Sequence, residues 1–523
     1  MGMENNNTET RFSEYVGISS PETPKYLILI NYLSRYFRYD KGFVARYEEI
    51  IKWQNDSNII TEESDLNAKE QLRQSFQAYF EAYSGYDALK KSSRTKKRFF
   101  PLTPDMLTPS AFNLRHLLFA LQFASIKSKD KEIQEYKTTQ KQLYDFLYDH
   151  SNRADIHRII QHICGMPKSF EDEISNNRLE IKFGEQEKQR YFDKLSKKFN
   201  TQLHKVLTDR NLLHTDFYTR MEFLCTFCSL YVLEFLLART NNTFEQVYDE
   251  SKRNLIVCKG SVNWDSGNDA FHKASQSNYV NIRSRFSEIM KQYYLRQFGR
   301  IESPKIKLIL QDSGKIQVYY KTKADSNEKP RDLSHFLSEN NLAISTRKNT
   351  SDQLSKFRER FFSDGSSEKN YTKDDFAMEF YNLQKKTQGS SVAKLVSTLP
   401  TTARDMNFLF PQNNARQKYF AMSGDIAEFF VRLYLICNEQ NFGYFDDFIH
   451  WLENEYLIYV RLDDKNILRK YLRNINAVVS EKDSNRNEAA FVQTLLEANC
   501  LIKLSDSGYL VVTPEKKEGV FLL

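Results

Sequence analysis

The sequence predicts a mainly α-helical, multi-domain protein with a small β-hairpin region and a C-terminal winged-helix-like module. Only 16 glycines and 11 prolines occur in 523 residues, and this scarcity favours helices over β-rich repeats and glycine-rich cofactor folds. Apolar residues recur near the helical period over most of residues 25–300. The 39 phenylalanines and 30 tyrosines can bury large areas, which excludes a mostly disordered chain.

The first three hundred residues are predicted to be helical after a flexible tail. The tail, residues 1–24, ends in two proline dipeptides, and the helical region covers residues 25–300. Its apolar periodicity indicates amphipathic helices over 43–54, 66–88, 110–127, 130–149, 152–164, 186–207, 215–240 and 279–300. The most apolar window, residues 221–238, contains Glu222 and Glu234, so it indicates a buried core helix rather than a membrane span.

Residues 301–415 are predicted to form a β-hairpin followed by a mixed and linker region. The run PKIKLIL (304–310), the turn Asp312-Ser313-Gly314 and the run KIQVYYK (315–321) are typical of two strands joined by a glycine turn. Shorter helical patterns occupy 351–362 and 374–386. Residues 389–404 are predicted to be a linker.

Residues 416–523 carry the pattern of a winged-helix-like C-terminal module. Ser423 is a suitable N-cap for a helix through Glu439, and further helices are expected over 445–455, 465–478 and 488–499. The runs LIKL (501–504) and YLVV (509–512) flank a glycine turn. Several helices followed by a tight β-hairpin are the element order of a winged helix-turn-helix.

Charge is distributed unevenly along the chain. The net charge is +7, but residues 416–523 hold 13 basic and 16 acidic side chains, a net charge of −3, which leaves +10 for residues 1–415. The proline-flanked basic loop, residues 89–109, holds six cations within residues 90–98, a stretch that contains no acid. They are Lys90, Lys91, Arg94, Lys96, Lys97 and Arg98. Such a cluster can neutralise several phosphates, so it is the predicted nucleic-acid-binding site; the alternative is an exposed loop with no partner.

The charge of the C-terminal module argues against reading of DNA by its last helix. The expected helix over 488–499 carries Glu488 and Glu497 and no cation of its own. A recognition helix normally relies on cations that contact phosphate. We therefore expect the module to dock proteins.

No motif in the chain specifies an enzyme. Cys225-x-x-Cys228 has zinc-ligand spacing but lacks a second pair and lies among apolar residues, which favours core packing. Glu180 and Lys182, with Asp172 upstream, fit a magnesium-dependent nuclease loosely, although a solvated face explains them as well. P-loop, dinucleotide and nucleophile-elbow motifs are absent from the sequence. We predict no catalytic residue, metal ligand or cofactor, and a non-enzymatic role is favoured.

A polar loop and the chain's cysteines complete the sequence-based expectations. In the loop 260–269, Trp264, Asp265 and Asp269 could line a site, but a capped loop before the next helix is the favoured interpretation. Six scattered cysteines within mostly apolar runs indicate reduced thiols. The polar, acidic first residues lack a secretion signal, so we expect a cytoplasmic protein without a membrane anchor.

Two C-terminal segments carry a resemblance to a known group of proteins. The runs KYFAMSGDIAEFFVRLYLI (418–436) and YFDDFIHWLENEYLIYV (444–460) are similar to a segment near the C-terminus of accessory proteins in bacterial anti-phage operons. Those operons encode a HerA/FtsK-type ATPase, as in phosphorothioation-dependent restriction and methylation-associated defence. The resemblance implies a large non-enzymatic subunit that works beside an ATPase and a nuclease.

Together, these observations predict a DNA-associated scaffold or adaptor subunit of a bacterial anti-phage defence complex. Its expected partners are DNA, through phosphates, and proteins that include a HerA-type ATPase and a nuclease, without a membrane. Two alternatives stay open: a metal-dependent nuclease subunit that uses Glu180 and Lys182, and a winged-helix DNA-binding regulator that requires Arg486.

Overall fold

Helices dominate the fold, as the scarcity of glycine and proline predicted. The structure is a computed structural model. It describes residues 28–29, 32–33, 35–38, 86–87, 92–93, 117–148, 166–167, 186–215, 217–239, 254–263, 269–298, 301–321, 327–339, 350–387, 391–412, 417–462, 466–504 and 508–516.

The helices follow one another along the chain in three groups. The first group comprises α1 (Leu117–Phe123), α2 (Lys129–Tyr148), α3 (Gln186–Thr208), α4 (Arg210–Leu213) and α5 (Phe217–Arg239). The second comprises α6 (Ala270–Phe298), α7 (Leu333–Glu339), α8 (Thr350–Phe361), α9 (Lys373–Lys386) and α10 (Ser391–Asp405). The third comprises α11 (Gly424–Asn438), α12 (Phe445–Trp451) with a π-helical turn at Leu452–Tyr456, α13 (Ile467–Asn474) and α14 (Glu481–Glu497).

The strands form small sheets between these helices. They are β1 (Phe37–Arg38), β2 (Tyr86–Asp87), β3 (Ser92–Ser93), β4 (Met166–Pro167), β5 (Ile256–Lys259), β6 (Lys305–Leu310), β7 (Ile316–Tyr320), β8 (Lys329–Asp332), β9 (Glu368–Thr372), β10 (Leu409–Phe410), β11 (Tyr419–Ala421), β12 (Phe442–Tyr444), β13 (Ile458–Tyr459), β14 (Leu501–Lys503) and β15 (Tyr509–Val512). Strand β1 pairs with β4, and β2 pairs with β3. The larger sheets have the orders β8-β7-β6-β9, β10-β11-β5-β13 and β12-β15-β14.

Helix α5 forms the centre of the largest core and confirms the core-helix prediction. Its segment Thr219–Ala238 is long and apolar enough to span a membrane, with a mean hydropathy of 1.7, but 94% of it is buried inside the protein. The charges within it have partners: Arg220 donates to two backbone carbonyls of the preceding turn, and Glu234 lies 3.9 Å from the Lys198 ammonium. Buried charges of this kind need such compensation.

Most described elements match the local sequence signals. Helices α2, α3, α5, α8 and α9 agree with the predicted segments, while α1 ends at Phe123 rather than at 127. The predicted hairpin is present as β6 and β7, and Gly314 adopts a φ of 78° in its turn, a conformation that glycine adopts without strain. The predictions for the tail, for 43–54 and for 152–164 lie outside the described residues. The helix predicted over 66–88 is wrong at Tyr86–Asp87, which form β2, and the rest of that segment also lies outside the described residues.

The linker prediction for residues 389–404 is wrong. This stretch forms helix α10, whose Leu399 and Ala403 are buried in the core. Its content of serine, threonine and glycine is typical of a linker, and Pro400 removes one helix hydrogen bond. The burial of one apolar side against the neighbouring helices outweighs these weak local preferences.

A mostly parallel sheet joins the first and last parts of the chain. Strand β5 lies between β11 and β13 and is parallel to both, with Cys258 opposite Phe420 and Ile256 opposite Ile458. Helix α6 is bound to this sheet through polar side chains, since Ser275 exchanges hydrogen bonds with the Phe420 backbone. Residues 416–523 therefore share a sheet with the helical region that precedes residue 300.

Candidate functional site

The carboxyl ends of β5 and β13 are joined by one side chain of α14. The Asn487 amide donates to the carbonyl oxygens of Cys258 (3.0 Å) and Val460 (2.6 Å) and accepts from the Gly260 N–H (2.9 Å). Asn487 is fully buried. A Cβ at Gly260 would lie 2.1 Å from the backbone carbonyl oxygen of Asn487 and 2.8 Å from the backbone nitrogen of Phe491. Only glycine therefore allows α14 to lie directly on the end of β5.

A groove runs between the outer face of α14 and the loop that follows β5. Its volume is about 440 Å³. It is lined by Ser261, Asn263, Arg486, Ala489, Ala490, Gln493 and Glu497. The groove lies at the carboxyl edge of a parallel sheet, where ligands of open α/β sheets commonly bind. These residues offer hydrogen-bonding groups, the Arg486 cation and the Glu497 carboxylate, and they include neither a histidine nor a cysteine.

The sequence-based boundary of α14, and the charge inferred from it, are wrong. The helix begins at Glu481 rather than near 488, because Ser480 and Asp483 form a reciprocal capping box. The first two turns are polar, so apolar periodicity did not reveal them. They contain Lys482 and Arg486, and the helix therefore has two cations of its own. It also has four acids, so its net charge is −2.

The start of α6 confirms the capped-loop interpretation at Asp269. Its carboxylate accepts the Phe271 N–H at 3.0 Å and its carbonyl accepts the Lys273 N–H, which satisfies free donors of the first turn. Nearby, the His272 ring lies 4.1 Å from the Tyr419 ring. Burial and the nearby Lys259 lower the pKa of His272, and Asp269 opposes this in part, so the shift favours the neutral imidazole. Trp264 and Asp265 lie outside the described residues.

The predicted nucleic-acid-binding residues also lie outside the described part of the chain. These are Lys90, Lys91, Arg94, Lys96, Lys97 and Arg98. Within this stretch the structure describes only β3, Ser92–Ser93, which pairs with Tyr86–Asp87. DNA binding by the basic loop therefore stays a prediction.

The candidate chemical motifs do not assemble into a catalytic site in the described regions. Cys225 and Cys228 are fully buried in the core, and burial raises the pKa of the Cys228 thiol, which agrees with the core-packing interpretation. The described ranges contain no group of three or more histidine, cysteine or acidic residues able to hold a metal ion. Asp172, Glu180 and Lys182 lie outside these ranges.

Strand β12 presents two aromatic side chains to solvent. Phe442 is 53% exposed and Tyr444 is 61% exposed, whereas Gly443 between them is buried. A Cβ at Gly443 would lie 2.6 Å from the Tyr434 ring, so this ring fills the inner side of the strand. The alternation of aromatic, glycine and aromatic residues was the available sequence signal, and sequence reasoning missed it.

Comparison with known proteins gives no relative. No family model, curated protein or solved structure matches the chain.

Proposed function

We propose that the protein is a non-enzymatic, DNA-associated scaffold or adaptor subunit of a cytoplasmic bacterial anti-phage defence complex. In this proposal the basic loop 89–109 binds DNA phosphates, and residues 416–523 dock protein partners. The resemblance of residues 418–436 and 444–460 to accessory proteins of HerA/FtsK-type operons suggests that the partners include such an ATPase and a nuclease.

The packing of α14 is the observation that carries the docking part of the proposal. Helices α11, α12 and α14 with the sheet β12-β15-β14 follow the element order of a winged helix, in which the last helix would enter a major groove. Here Asn487 and Phe491 hold that helix against β5 and Gly260. Its exposed surface carries a net charge of −2, which opposes approach to phosphate. A protein-docking role fits this helix better than base reading.

Sequence charge supports the DNA part of the proposal. Residues 1–415 carry +10, and six cations without an acid lie within nine residues of the basic loop. Phosphate contacts of this kind supply most non-specific DNA affinity and need no base recognition. A scaffold that is recruited to many DNA sequences needs only such phosphate contacts.

Binding of duplex DNA by the full chain distinguishes the scaffold from the winged-helix regulator. One variant replaces the six loop cations, Lys90 to Arg98, with glutamine. The matched variant combines Lys482→Gln and Arg486→Gln on α14. The proposal predicts that the loop variant loses affinity at low salt while the α14 variant retains it. The reverse pattern would establish DNA reading by α14 and reject the proposed division of roles.

The nuclease alternative requires a separate assay. The purified chain is incubated with plasmid DNA and magnesium or manganese, beside the Glu180→Ala variant. The scaffold proposal predicts no cleavage by either protein. Cleavage by the unaltered chain that is lost in Glu180→Ala would establish a metal-dependent nuclease instead.

A further inference from the structure

The hydrogen-bond pattern of the small antiparallel sheet determines which way the β12 backbone points. In β15, the Val512 N–H donates to the Cys500 carbonyl, on the side of β14. Successive residues of an antiparallel strand direct their N–H and C=O groups to opposite sides. Val511 therefore directs its backbone N–H and C=O toward β12, where it lies opposite Gly443. It follows that Phe442 and Tyr444 direct their N–H groups away from the sheet.

This outer edge of β12 is open within the described structure. None of the described residues forms a hydrogen bond with the backbone N–H or C=O of Phe442 or with the N–H of Tyr444. Edge strands are usually protected by lysine, proline or a bulge, and the three residues of β12 include neither lysine nor proline. Three unpaired backbone groups and two exposed aromatic rings are the features that accept an added strand.

The residues around β12 favour a basic partner. Glu439 precedes the strand and is 76% exposed, and it pairs with Lys205 at 2.8 Å. Asp446 follows the strand, is 71% exposed and pairs with Arg461 at 2.8 Å. Asp447 is also exposed and lies near Tyr434, the ring beneath Gly443. Within the described structure Asp447 forms no salt bridge, and its carboxylate is therefore available to a partner cation. Lys516 is a cation at this edge, but it donates to the Asn441 side chain.

We propose that β12 is a docking edge for an extended segment of a partner protein in which apolar residues alternate with lysine or arginine. The segment adds a fourth strand beside β12: its backbone pairs with Phe442 and Tyr444, its apolar side chains cover the two rings, and its nearest cation meets the Asp447 carboxylate. This inference rests on the proposed protein-docking role of residues 416–523 and names the surface that performs it.

Four peptides test this recognition by fluorescence anisotropy on the full chain. The probe is a fluorescein-labelled octapeptide of alternating valine and lysine. The second peptide replaces lysine with glutamate, the third is N-methylated at alternate backbone nitrogens, and the fourth has the same composition in two blocks. We expect saturable binding of the probe and at least roughly tenfold weaker binding of the other three peptides. The second peptide loses the charge pairing, the third loses backbone hydrogen bonds, and the fourth loses the alternation of apolar and basic residues. Equal binding of the acidic or N-methylated peptide would overturn the proposal.

Protein variants locate the binding to β12. Phe442→Pro removes the outward N–H and leaves the Gly443 ladder in place, whereas Phe442→Ala keeps that N–H. Tyr444→Ser removes the second ring. Val478→Ser, at a residue 87% exposed in the loop before α14, is the matched control. We expect Phe442→Pro and Tyr444→Ser to weaken probe binding roughly tenfold, Phe442→Ala to weaken it less than Phe442→Pro, and the control to bind normally.

Two further measurements keep the outcome unambiguous. Hydrogen exchange of the full chain should show that the probe protects the amides of residues 442–444, and unchanged exchange there would contradict the proposal even if the peptide binds. Sedimentation without peptide tests whether the edge binds a second copy instead. A dimer that Phe442→Pro abolishes would replace the partner segment with self-association and overturn the inference.

Failure of the docking edge and failure of the proposed function give different results. If the probe does not bind but the basic-loop variant still loses DNA affinity, only the edge is refuted. If the probe binds at β12 but the loop variant retains DNA affinity, the DNA-associated role is refuted and the edge stands.

Discussion

Replacing Asn487 with alanine should loosen the joint between β5, β13 and α14. The substitution leaves the Gly260 N–H and the carbonyls of Cys258 and Val460 without this partner in a fully buried site. Each buried polar group left unpaired costs about 1–3 kcal/mol. Because the site can relax and the carbonyls can accept from other donors, we expect a total loss of about 3 kcal/mol. That loss corresponds to roughly a hundredfold increase in local opening.

Hydrogen exchange measured by mass spectrometry on the full chain reports this opening directly. Peptides that cover residues 254–263 and 458–462 should lose protection in Asn487→Ala. The matched control is Gln493→Ala, on the exposed side of α14, which should leave these peptides protected. Unchanged protection in Asn487→Ala would refute the idea that this side chain holds the strand ends together.

The same position provides a pH test with a defined sign. In Asn487→Asp the ionised carboxylate can accept from the Gly260 N–H but cannot donate to the two carbonyls. Burial among carbonyl oxygens raises the pKa of that introduced carboxyl above its unfolded value. The folded state therefore binds the proton more tightly, so protection should be greatest at low pH and fall as pH rises through the folded-state pKa. After correction for intrinsic exchange rates, protection that increases with pH would contradict this account.

Two further predictions concern other parts of the fold. Gly443→Ala places a Cβ 2.6 Å from the Tyr434 ring and should destabilise the chain by about 1–3 kcal/mol. Thermal unfolding measures this, with Gly424→Ala as the control because the nearest atom to a Cβ at Gly424 is 3.9 Å away. Equal melting temperatures of the two variants would contradict the prediction. Burial raises the pKa of Glu135, but its hydrogen bond to His204 and further hydrogen bonds lower it more, so the net shift is downward. Its stabilising contribution is therefore lost as pH falls through the folded-state pKa. Glu135→Gln should make the stability of α1–α3 less dependent on pH below about 4.5, and an unchanged acid dependence would reject the interaction.

The elements predicted correctly are those whose signals are local. Helices α2, α3 and α5 carry long apolar periodicity, and Gly314 marks the turn of the β6–β7 hairpin. Ser423 was predicted as an N-cap and does accept the Ile426 N–H. In each case residues within one or two turns determine the structure.

The parts that sequence reasoning missed depend on distant contacts. Strand β5 is four residues long, and its partners lie more than 150 residues later, so no local pattern indicates a parallel sheet. The hydrogen bond between Gly260 and Asn487 spans 227 positions. Either residue alone is unremarkable in the sequence. The candidate groove and the joint beside it became visible only after the fold had brought these residues together.

The salt dependence of duplex DNA binding tests the central claim most directly. For the full chain, the logarithm of the binding constant should fall linearly with the logarithm of salt concentration, by about 0.9 for each phosphate contacted. Replacing Lys90, Lys91, Arg94, Lys96, Lys97 and Arg98 with glutamine should flatten this slope by several units, up to about 5 if all six contact phosphate. The double variant Lys482→Gln/Arg486→Gln should keep the original slope. An unchanged slope in the loop variant, or a flattened slope in the α14 variant, would contradict a scaffold that holds DNA through its basic loop.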